Sequence, residues 1–340
     1  MDRIKRQILQ SLVNGKQSVY KLIDRQDSSL KEFYDLIQGL KGDILFWKNG
    51  QIHLTDKGLA LCRKLGIKKR GESPCPSCGG TGYVVSEDFS NVLNELSRIS
   101  ENRPEAVEKY DQGFMSLEGV VKRVEFIHER GDLAGTRIFV LGDDDLFSLA
   151  AALTGMPEEV RVVDVDQRLI SFINKNAEEN GLPIKAEVYD VQYPLPEKLR
   201  ERFDVFITDP VETLPGIRLF LSRAVSSLKG RGSAGYFGLT TLEASSKKWY
   251  NIEKMLLEMG FVITDIRRKF NVYPIEDKNF FRFEEDLPIV RLLGTRADYD
   301  WYTSSFLRIE AVRTPVPQVT GVELLNDKVY RDDESLATPY

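Results

Sequence analysis

The sequence predicts an α/β protein in which a doubly wound parallel sheet follows a smaller domain of helices and one hairpin. From about residue 131, apolar runs of strand length alternate with segments of helical periodicity. Residues 1–70 show helical spacing around a single Asn-Gly turn. The chain contains no uncharged apolar run of about 18 residues, which excludes a membrane span, and its N-terminus lacks the apolar core of a secretory signal.

Charge is distributed unevenly along the 340 residues. Residues 1–70 hold 15 Lys and Arg against 7 Asp and Glu, whereas the remainder holds 32 against 45. A basic head could face nucleic acid or an acidic partner, and an acidic body attracts cations. Three cysteines cannot form a disulfide framework, so we expect a soluble, cytoplasmic protein.

The head, residues 1–70, has the pattern of a winged-helix-like domain. Residues 4–13 have helical spacing, and Ser18 and Ser29 can cap the two helices that follow. Two apolar runs around Asn49-Gly50 predict a hairpin, and a further helix follows it. Winged helices bind DNA or serve as packing and dimerisation modules. For this head we expect packing or dimerisation rather than DNA binding, and a homodimer would be consistent with that use.

Residues 71–130 connect the head to the body and begin with a loop rich in Gly, Pro and Ser. Cys75 and Cys78 form a C-x-x-C knuckle, which could hold a structural zinc or iron ion. A structural zinc site needs four ligands and no second knuckle follows, so Cys62, His53 or a second subunit would have to contribute. The alternative is a plain turn.

Acidic residues end four consecutive predicted strands of the body, residues 131–314. They are Asp143, Asp144 and Asp145 after Gly142, then Asp164, then Asp190, and finally Asp209 with Glu212. Ligands of doubly wound sheets bind where the strands end, so these carboxylates predict a cation site at one edge of the sheet.

The position of each acid suggests which part of a ligand it would contact. Asp164 ends the second strand, where nucleotide-binding folds place a carboxylate on ribose hydroxyls, and Asp190 could accept from an adenine amino group. Of the G-x-G-x-x-G motif of dinucleotide sites, only Gly142 is present. The carboxylates after it would repel a pyrophosphate, which disfavours nicotinamide and flavin dinucleotides.

Several segments resemble a known family. VVDVDQRLI (162–170) and FDVFITDPVETL (203–214) are similar to segments of spermidine synthase-like aminopropyltransferases, which have a Rossmann-like fold of the class I methyltransferase type. G-D-D-D (142–145), with DQGFMSLEGVVKR (111–123) upstream and a winged-helix head, resembles the branched-chain polyamine synthases of thermophiles. The resemblance covers most of the chain, and G-D-D-D is its most specific part.

The resemblance implies transfer of aminopropyl groups from decarboxylated S-adenosylmethionine to the internal nitrogen of spermidine. The products of this transfer are methylthioadenosine and the branched N(4)-aminopropylspermidine and N(4)-bis(aminopropyl)spermidine. The resemblance also implies Asp145 or Asp209 as the base, with Asp145 preferred. The residues expected to bind the donor are Gln112, Gly142, Asp143, Asp164 and Asp190. The residues expected to bind the polyamine are Glu118, Asp144, Glu212, Asp332, Asp333 and Glu334, the last three in a flexible acidic tail over residues 315–340.

Two other functions fit parts of the sequence. Asp209-Pro210 is similar to the D-P-P-Y motif of adenine methyltransferases, and the basic head could hold nucleic acid for an S-adenosylmethionine-dependent amino-methyltransferase. Val211-Glu212 replaces the aromatic end of that motif, and its charge opposes a phosphate backbone, so nucleic acid is not the expected partner. A transcription regulator that senses a metabolite is the remaining alternative.

Overall fold

The computed structural model describes residues 3–71, 75–275 and 284–338. Their strands form two sheets, one of three strands near the N-terminus and one of seven strands. Within these ranges, no helix is long and apolar enough to cross a membrane.

The head contains the helices and the hairpin that the sequence predicts. Its elements are α1 (Arg3–Leu12), β1 (Gln17–Ser18), α2 (Val19–Asp24), α3 (Leu30–Leu40), β2 (Leu45–Lys48), β3 (Gln51–Leu54) and α4 (Asp56–Lys64). Ser18 and Ser29 cap α2 and α3 through their hydroxyls, as predicted. Asn49 and Gly50 join β2 to β3 with φ of 52° and 69°, the left-handed pair that a tight hairpin turn requires. The antiparallel sheet has the order β1-β3-β2.

The head packs tightly against the body. Buried residues of both belong to one continuous hydrophobic core, in which Phe33 and Trp301 are fully buried. The Tyr20 hydroxyl donates to the Thr295 carbonyl at 2.6 Å, and the Leu30 N–H donates to the Leu242 carbonyl at 2.6 Å. The head is therefore part of the structure that supports the body.

The remaining elements follow the predicted alternation of strands and helices. They are α5 (Glu87–Ser100), α6 (Leu117–Glu129), β4 (Arg137–Leu141), α7 (Phe147–Leu153), β5 (Glu159–Asp164), α8 (Gln167–Asn180), β6 (Ile184–Val188), β7 (Val205–Thr208), α9 (Leu214–Val225), β8 (Ala234–Leu239), α10 (Ser246–Met259), β9 (Phe261–Val272), α11 (Pro288–Leu293), β10 (Thr303–Ala311) and α12 (Asp327–Tyr330). Strand β4 is buried on both faces, as its continuous apolar sequence predicts.

The large sheet is mixed, with the order β6-β5-β4-β7-β8-β10-β9. Neighbours among β4 to β8 are parallel, whereas β10 lies antiparallel between β8 and β9. The prediction of a parallel sheet was therefore wrong for β10. The chain returns from the end of β9 to the start of β10 at the same edge, and such a return gives antiparallel pairing without a crossover helix. Strand order reverses at β4 and β7, which places the ligand-binding crevice beside their ends.

The C-terminal segment (residues 315–338) is hydrogen-bonded to the body, although the sequence predicts a flexible tail from residue 315. The buried Arg223 guanidinium donates to the carbonyls of Val319 and Gly321 at 3.0 and 2.7 Å. The Thr213 hydroxyl donates to the Val329 carbonyl at 2.5 Å. The segment therefore crosses the body beside the edge where the parallel strands end.

Candidate active site

A cavity of about 330 Å³ opens at the edge where the parallel strands end. Seven carboxylates line it: Asp111, Asp144, Asp164, Asp190, Asp209, Glu212 and Glu243. Among the described lining residues, Lys109 is the only lysine or arginine. The cavity therefore favours a ligand with several positive charges, since like charges would repel an anionic one.

The ends of β5, β6 and β7 supply four of these carboxylates, as the sequence predicts. Asp164 is the last residue of β5, Asp190 follows β6, and Asp209 and Glu212 follow β7. Parallel strands end at one edge of the sheet, which brings residues distant in sequence around one cavity.

The side of the cavity near β5 and β6 has the predicted nucleoside-binding residues. Asp164 accepts the backbone N–H groups of Asp143 and Asp166 at 3.1 and 2.7 Å, and burial raises its pKa to about 6. Both oxygens of Asp190 accept from Gln192, through its N–H and its side-chain amide. The Gln112 side chain donates to Asp166 at 3.1 Å and also lines the cavity. These contacts fix the carboxylates and leave lone pairs for hydroxyl or amino donors.

The three aspartates after Gly142 point in different directions. Gly142 has φ of 78°, the left-handed conformation that lets the chain turn sharply after β4. Asp144 lines the cavity and accepts the Gly113 N–H at 2.9 Å. Asp143 is 1% exposed, accepts from the Ser148 N–H and hydroxyl, and lies outside the cavity lining. Consecutive side chains of a tight turn point in different directions, and of the three aspartates only Asp144 lies on the cavity wall.

Asp145 and Asp209 contact the same arginine. Arg123, on α6, is fully buried and donates to both oxygens of Asp209 at 2.6 and 3.0 Å. Its guanidinium lies 3.5 Å from Asp145, which also accepts the Met115 N–H at 2.7 Å. Burial raises the pKa of Asp145 well above its usual range, and Arg123 opposes that shift. Asp209 faces the cavity, whereas Asp145 lies behind Asp209 and outside the cavity lining.

Gly238 at the end of β8 completes the Asp209 environment. Its N–H donates to Asp209 at 2.8 Å, and any side chain at this position would collide with the carboxylate. This position therefore requires a glycine, because the Asp209 carboxylate lies too close for any side chain. The sequence alone could not indicate this contact.

The opposite wall carries Glu212 and two further acids that sequence reasoning missed. Glu212 accepts the Thr240 N–H at 2.7 Å through one oxygen, while its second oxygen is buried without a hydrogen-bond partner among the described residues. Glu243 accepts the Ala337 N–H at 2.6 Å, and burial raises its pKa to about 7. Asp111 adopts a left-handed φ of 54°, and burial, with Glu243 and Asp144 nearby, raises its pKa to about 7. The sequence offered a signal for both, because Glu243 follows the end of β8 as Glu212 follows the end of β7, and Asp111 begins the DQGFMSLEGVVKR segment.

Four residues predicted to bind polyamine lie outside the cavity lining. Glu118 pairs with Lys122 at 2.8 Å on the surface of α6. Asp332 pairs with the buried Lys248 at 2.7 Å, and Glu334 accepts the N–H and hydroxyl of Ser245 at the start of α10. Asp333 is exposed. The structure gives Glu118, Asp332 and Glu334 protein partners, and a role of any of the four in binding polyamine stays a prediction.

The cysteine knuckle forms a compact turn. The Gly79 N–H donates to the Cys75 carbonyl at 2.9 Å. Backbone N–H groups, first that of Gly80 and then that of Gly82, lower the pKa of the Cys78 thiol. No group of three or more His, Cys, Asp or Glu residues able to hold a metal occurs in the described part of the chain. His53 and Cys62 therefore do not complete a site with the pair.

The chain matches one protein family over most of its length. The profile of the family described as "Branched-chain polyamine synthase A C-terminal domain" matches residues 91–337. The chain is 38% identical to the N(4)-bis(aminopropyl)spermidine synthase of Thermococcus kodakarensis, over 96% of this chain and 93% of the relative. The chain belongs to the branched-chain polyamine synthase family.

Further members support this assignment. The N(4)-bis(aminopropyl)spermidine synthase of Methanocaldococcus jannaschii is 36% identical over 94% of this chain and 90% of its own. The crystal structure of the branched-chain polyamine synthase from Thermus thermophilus, in complex with N4-aminopropylspermidine and 5'-methylthioadenosine, superposes with a TM-score of 0.86 and 32% identity. It covers 99% of this chain and 93% of that one. The resemblance predicted from the sequence is confirmed, and the chain is a transferase of this family.

Proposed function

We propose that this chain transfers aminopropyl groups from decarboxylated S-adenosylmethionine to the internal nitrogen of spermidine. The products are N(4)-aminopropylspermidine, N(4)-bis(aminopropyl)spermidine and methylthioadenosine. The observation that supports this most is the cavity itself, whose seven carboxylates suit a sulfonium donor and a polyamine acceptor. The decisive experiment is mass spectrometry of the products formed from spermidine with each adenosyl donor.

The donor binds along the ends of β4, β5 and β6 in this proposal. Asp164 accepts hydrogen bonds from the ribose hydroxyls, and Asp190 accepts one from the adenine amino group. Gln112 and Gly142 form part of the wall beside them. The terminal ammonium of the donor's three-carbon chain faces Asp144, which is the carboxylate of the acidic turn on the wall. Asp143 contributes by accepting from Ser148 at the start of α7, and so fixes the turn.

The acceptor lies across the opposite wall. The unpartnered oxygen of Glu212 can accept from one ammonium group, and Glu243 and Asp111 supply charge for another. The left-handed backbone of Asp111 is a strained conformation for an aspartate, which supports a role for this residue in binding.

The reaction requires a neutral nitrogen, because an ammonium has no lone pair to attack with. The Asp145–Asp209 pair accepts the proton from the internal nitrogen, with Asp209 facing the nitrogen and Asp145, whose pKa burial raises, on the other side of the shared Arg123 guanidinium. The nitrogen then bonds to the methylene carbon beside sulfur, the carbon–sulfur bond breaks, and its electrons remain on sulfur as methylthioadenosine.

The donor preference gives a direct test. S-adenosylmethionine carries a carboxylate that would approach Asp144, and at about 4 Å and an effective dielectric near 20 this repulsion is about 4 kcal/mol. Half of it, about 2 kcal/mol, corresponds to about 30-fold in Kd. We therefore expect calorimetry to show at least about 30-fold weaker binding of S-adenosylmethionine than of the decarboxylated donor. Asp144→Asn should narrow the difference, and equal affinities in the wild type would contradict the proposal.

The C-terminal segment gives a second test. Deleting the residues after Asn326 removes Tyr330 from the wall and the N–H groups of Ala337 and Thr338 from Glu243. We expect the KM for spermidine to rise about tenfold, equal to about 1.4 kcal/mol, while donor affinity changes little. Lys328→Ala, a change of an exposed side chain on α12, is the control in the same assay. An unchanged KM in the shortened protein would exclude the segment from acceptor binding.

Other features of the chain support smaller proposals. The order of helices and strands in residues 3–64 supports a winged-helix domain in the head. Cys75 and Cys78 supply two thiols of the four ligands that a structural zinc needs, so a metal would require ligands from elsewhere, such as a second subunit. A homodimer and a cytoplasmic location also stay predictions.

A further inference from the structure

The two branched products differ in the chemistry of one nitrogen. After one transfer, the internal nitrogen is a tertiary amine, and its protonated form still carries an N–H. After two transfers, it has four carbon substituents and a fixed positive charge. A carboxylate can attract that cation but can no longer accept a hydrogen bond from it. The inference below rests on the proposed function and concerns the second transfer.

Two tyrosines form a corner of the cavity beside the carboxylates. Tyr273 follows β9 and Tyr302 precedes β10, and both line the cavity with Asp209, Glu212 and Glu243. Their ring centroids lie 5.3 Å apart with the planes at 81°. A cation in this corner would meet the face of one ring and the carboxylates beyond it, the arrangement that suits an alkyl-covered cation.

The surrounding structure holds the corner rigid. The Trp301 ring, fully buried, packs edge-on against Tyr302 with centroids 5.6 Å apart. The Tyr302 hydroxyl donates a hydrogen bond to Glu243 at 3.4 Å. Burial, reinforced by the nearby carboxylates, raises the pKa of both phenols well above their usual range. Both rings therefore stay neutral and keep the electron-rich faces that attract cations.

The two rings lie near different charged groups of the site. Asp209 acts electrostatically on Tyr273, as do Asp145 and Arg123, whereas Glu243 and Glu212 act on Tyr302. The corner therefore lies between the Asp145–Asp209 pair and the acids proposed to hold the acceptor's ammonium groups.

We propose that Tyr273 and Tyr302 determine the second transfer by stabilising the internal nitrogen as it becomes a quaternary cation. In that step, the tertiary ammonium first loses its proton to the Asp145–Asp209 pair. The nitrogen lone pair then bonds to the donor's methylene carbon, and the carbon–sulfur electron pair leaves on methylthioadenosine. Positive charge passes from sulfur to nitrogen, where no N–H remains, so the aromatic faces replace the hydrogen bond that stabilised the first product.

The test compares Tyr302→Leu with Tyr302→Phe, and Tyr273→Leu with Tyr273→Phe. Single-turnover mass spectrometry gives the rate of each transfer separately, from spermidine and from N(4)-aminopropylspermidine. We expect each leucine variant to lower the ratio of the second rate to the first by at least about tenfold, while phenylalanine, which keeps the ring, preserves the ratio. A leucine variant with an unchanged ratio would overturn the proposal.

A binding measurement on the wild-type protein keeps the inference testable if a leucine variant does not fold. The probe is a spermidine analogue whose internal nitrogen carries two methyl groups, measured with methylthioadenosine present. We expect the Kd of this analogue to lie within about tenfold of the Kd of spermidine, because the aromatic faces replace the lost N–H groups. A much weaker affinity would contradict the proposal. A wild-type protein that forms neither product would instead contradict the proposed function, so the two failures are distinguishable.

Discussion

Asp209→Asn and Asp145→Asn are each expected to lower the rate of the first transfer by at least about 100-fold, the scale of a lost general base. Asp209 faces the cavity and is fixed by both nitrogens of Arg123 and by the Gly238 N–H. Asp145 lies behind it, with a pKa that burial raises well above the usual range. An amide at either position has no basic oxygen to accept the proton. Single-turnover kinetics over a range of pH measures the loss.

The control for this experiment is an aspartate outside the cavity that also pairs with an arginine. Asp132 accepts from Arg308 at 2.8 Å and lies outside the cavity lining, so Asp132→Asn should leave the rate nearly unchanged. The pH profile separates the two members of the pair. If Asp145 acts only by positioning Arg123, the Asp145→Asn variant will be slower, but its rate will depend on pH in the same way as that of the wild type. An Asp145→Asn protein with the wild-type rate would remove Asp145 from the mechanism.

Arg123→Met is expected to cause the largest loss of stability. Arg123 is fully buried, pairs with Asp209 and Asp145, donates to Asn271 at 2.9 Å and lies 4.7 Å from the Phe306 ring centre. Methionine fills much of its volume but leaves two carboxylates without a counter-ion. Breaking the buried Arg123–Asp145 pair costs about 3–5 kcal/mol of the free energy of unfolding, and Asp209, whose side chain is 31% exposed, adds less because water screens its charge. Thermal unfolding should show a large fall in Tm, and activity should be lost with it.

The pH dependence of this loss tests its cause. Burial raises the folded-state pKa of Asp145 and Arg123 opposes that rise, so without Arg123 this pKa should lie further above its unfolded value; the unfolded chain then binds fewer protons and stability falls as pH rises. We therefore expect the loss to be larger at pH 8 than at pH 5. Adding Asp209→Asn should recover part of the stability, because it removes one unpaired charge. A loss of stability that does not depend on pH and is not reduced in the double variant would indicate lost packing as the cause.

Much of the site follows from the sequence because parallel strands end at one edge of a sheet. Asp164, Asp190, Asp209 and Glu212 each follow an apolar run of strand length, and the structure brings all four to one cavity. The family resemblance in G-D-D-D and the Asp209 segment is likewise confirmed. The direction of each aspartate after Gly142 was not predictable, because it depends on which backbone N–H or hydroxyl each carboxylate meets in the folded turn.

Other parts of the site depend on pairing that no local pattern encodes. Tyr302 reaches the cavity because β10 runs antiparallel between β8 and β9, so that its start lies at the edge where the parallel strands end. Glu243 precedes the capped start of α10 and meets Ala337 from the C-terminal segment, nearly a hundred positions along the chain.

The sequence by itself determined the alternation of elements, the family and the acidic strand ends, since apolar periodicity and turn residues are local properties. Only the tertiary structure decided which carboxylates face the ligand and which hold the protein together. It did so because burial, the Arg123 contacts and the docking of the C-terminal segment are made between residues far apart in the chain. The same acidic residue type therefore serves as a buried acceptor for Ser148 at Asp143, a partner of a buried lysine at Asp332 and a cavity wall at Asp209.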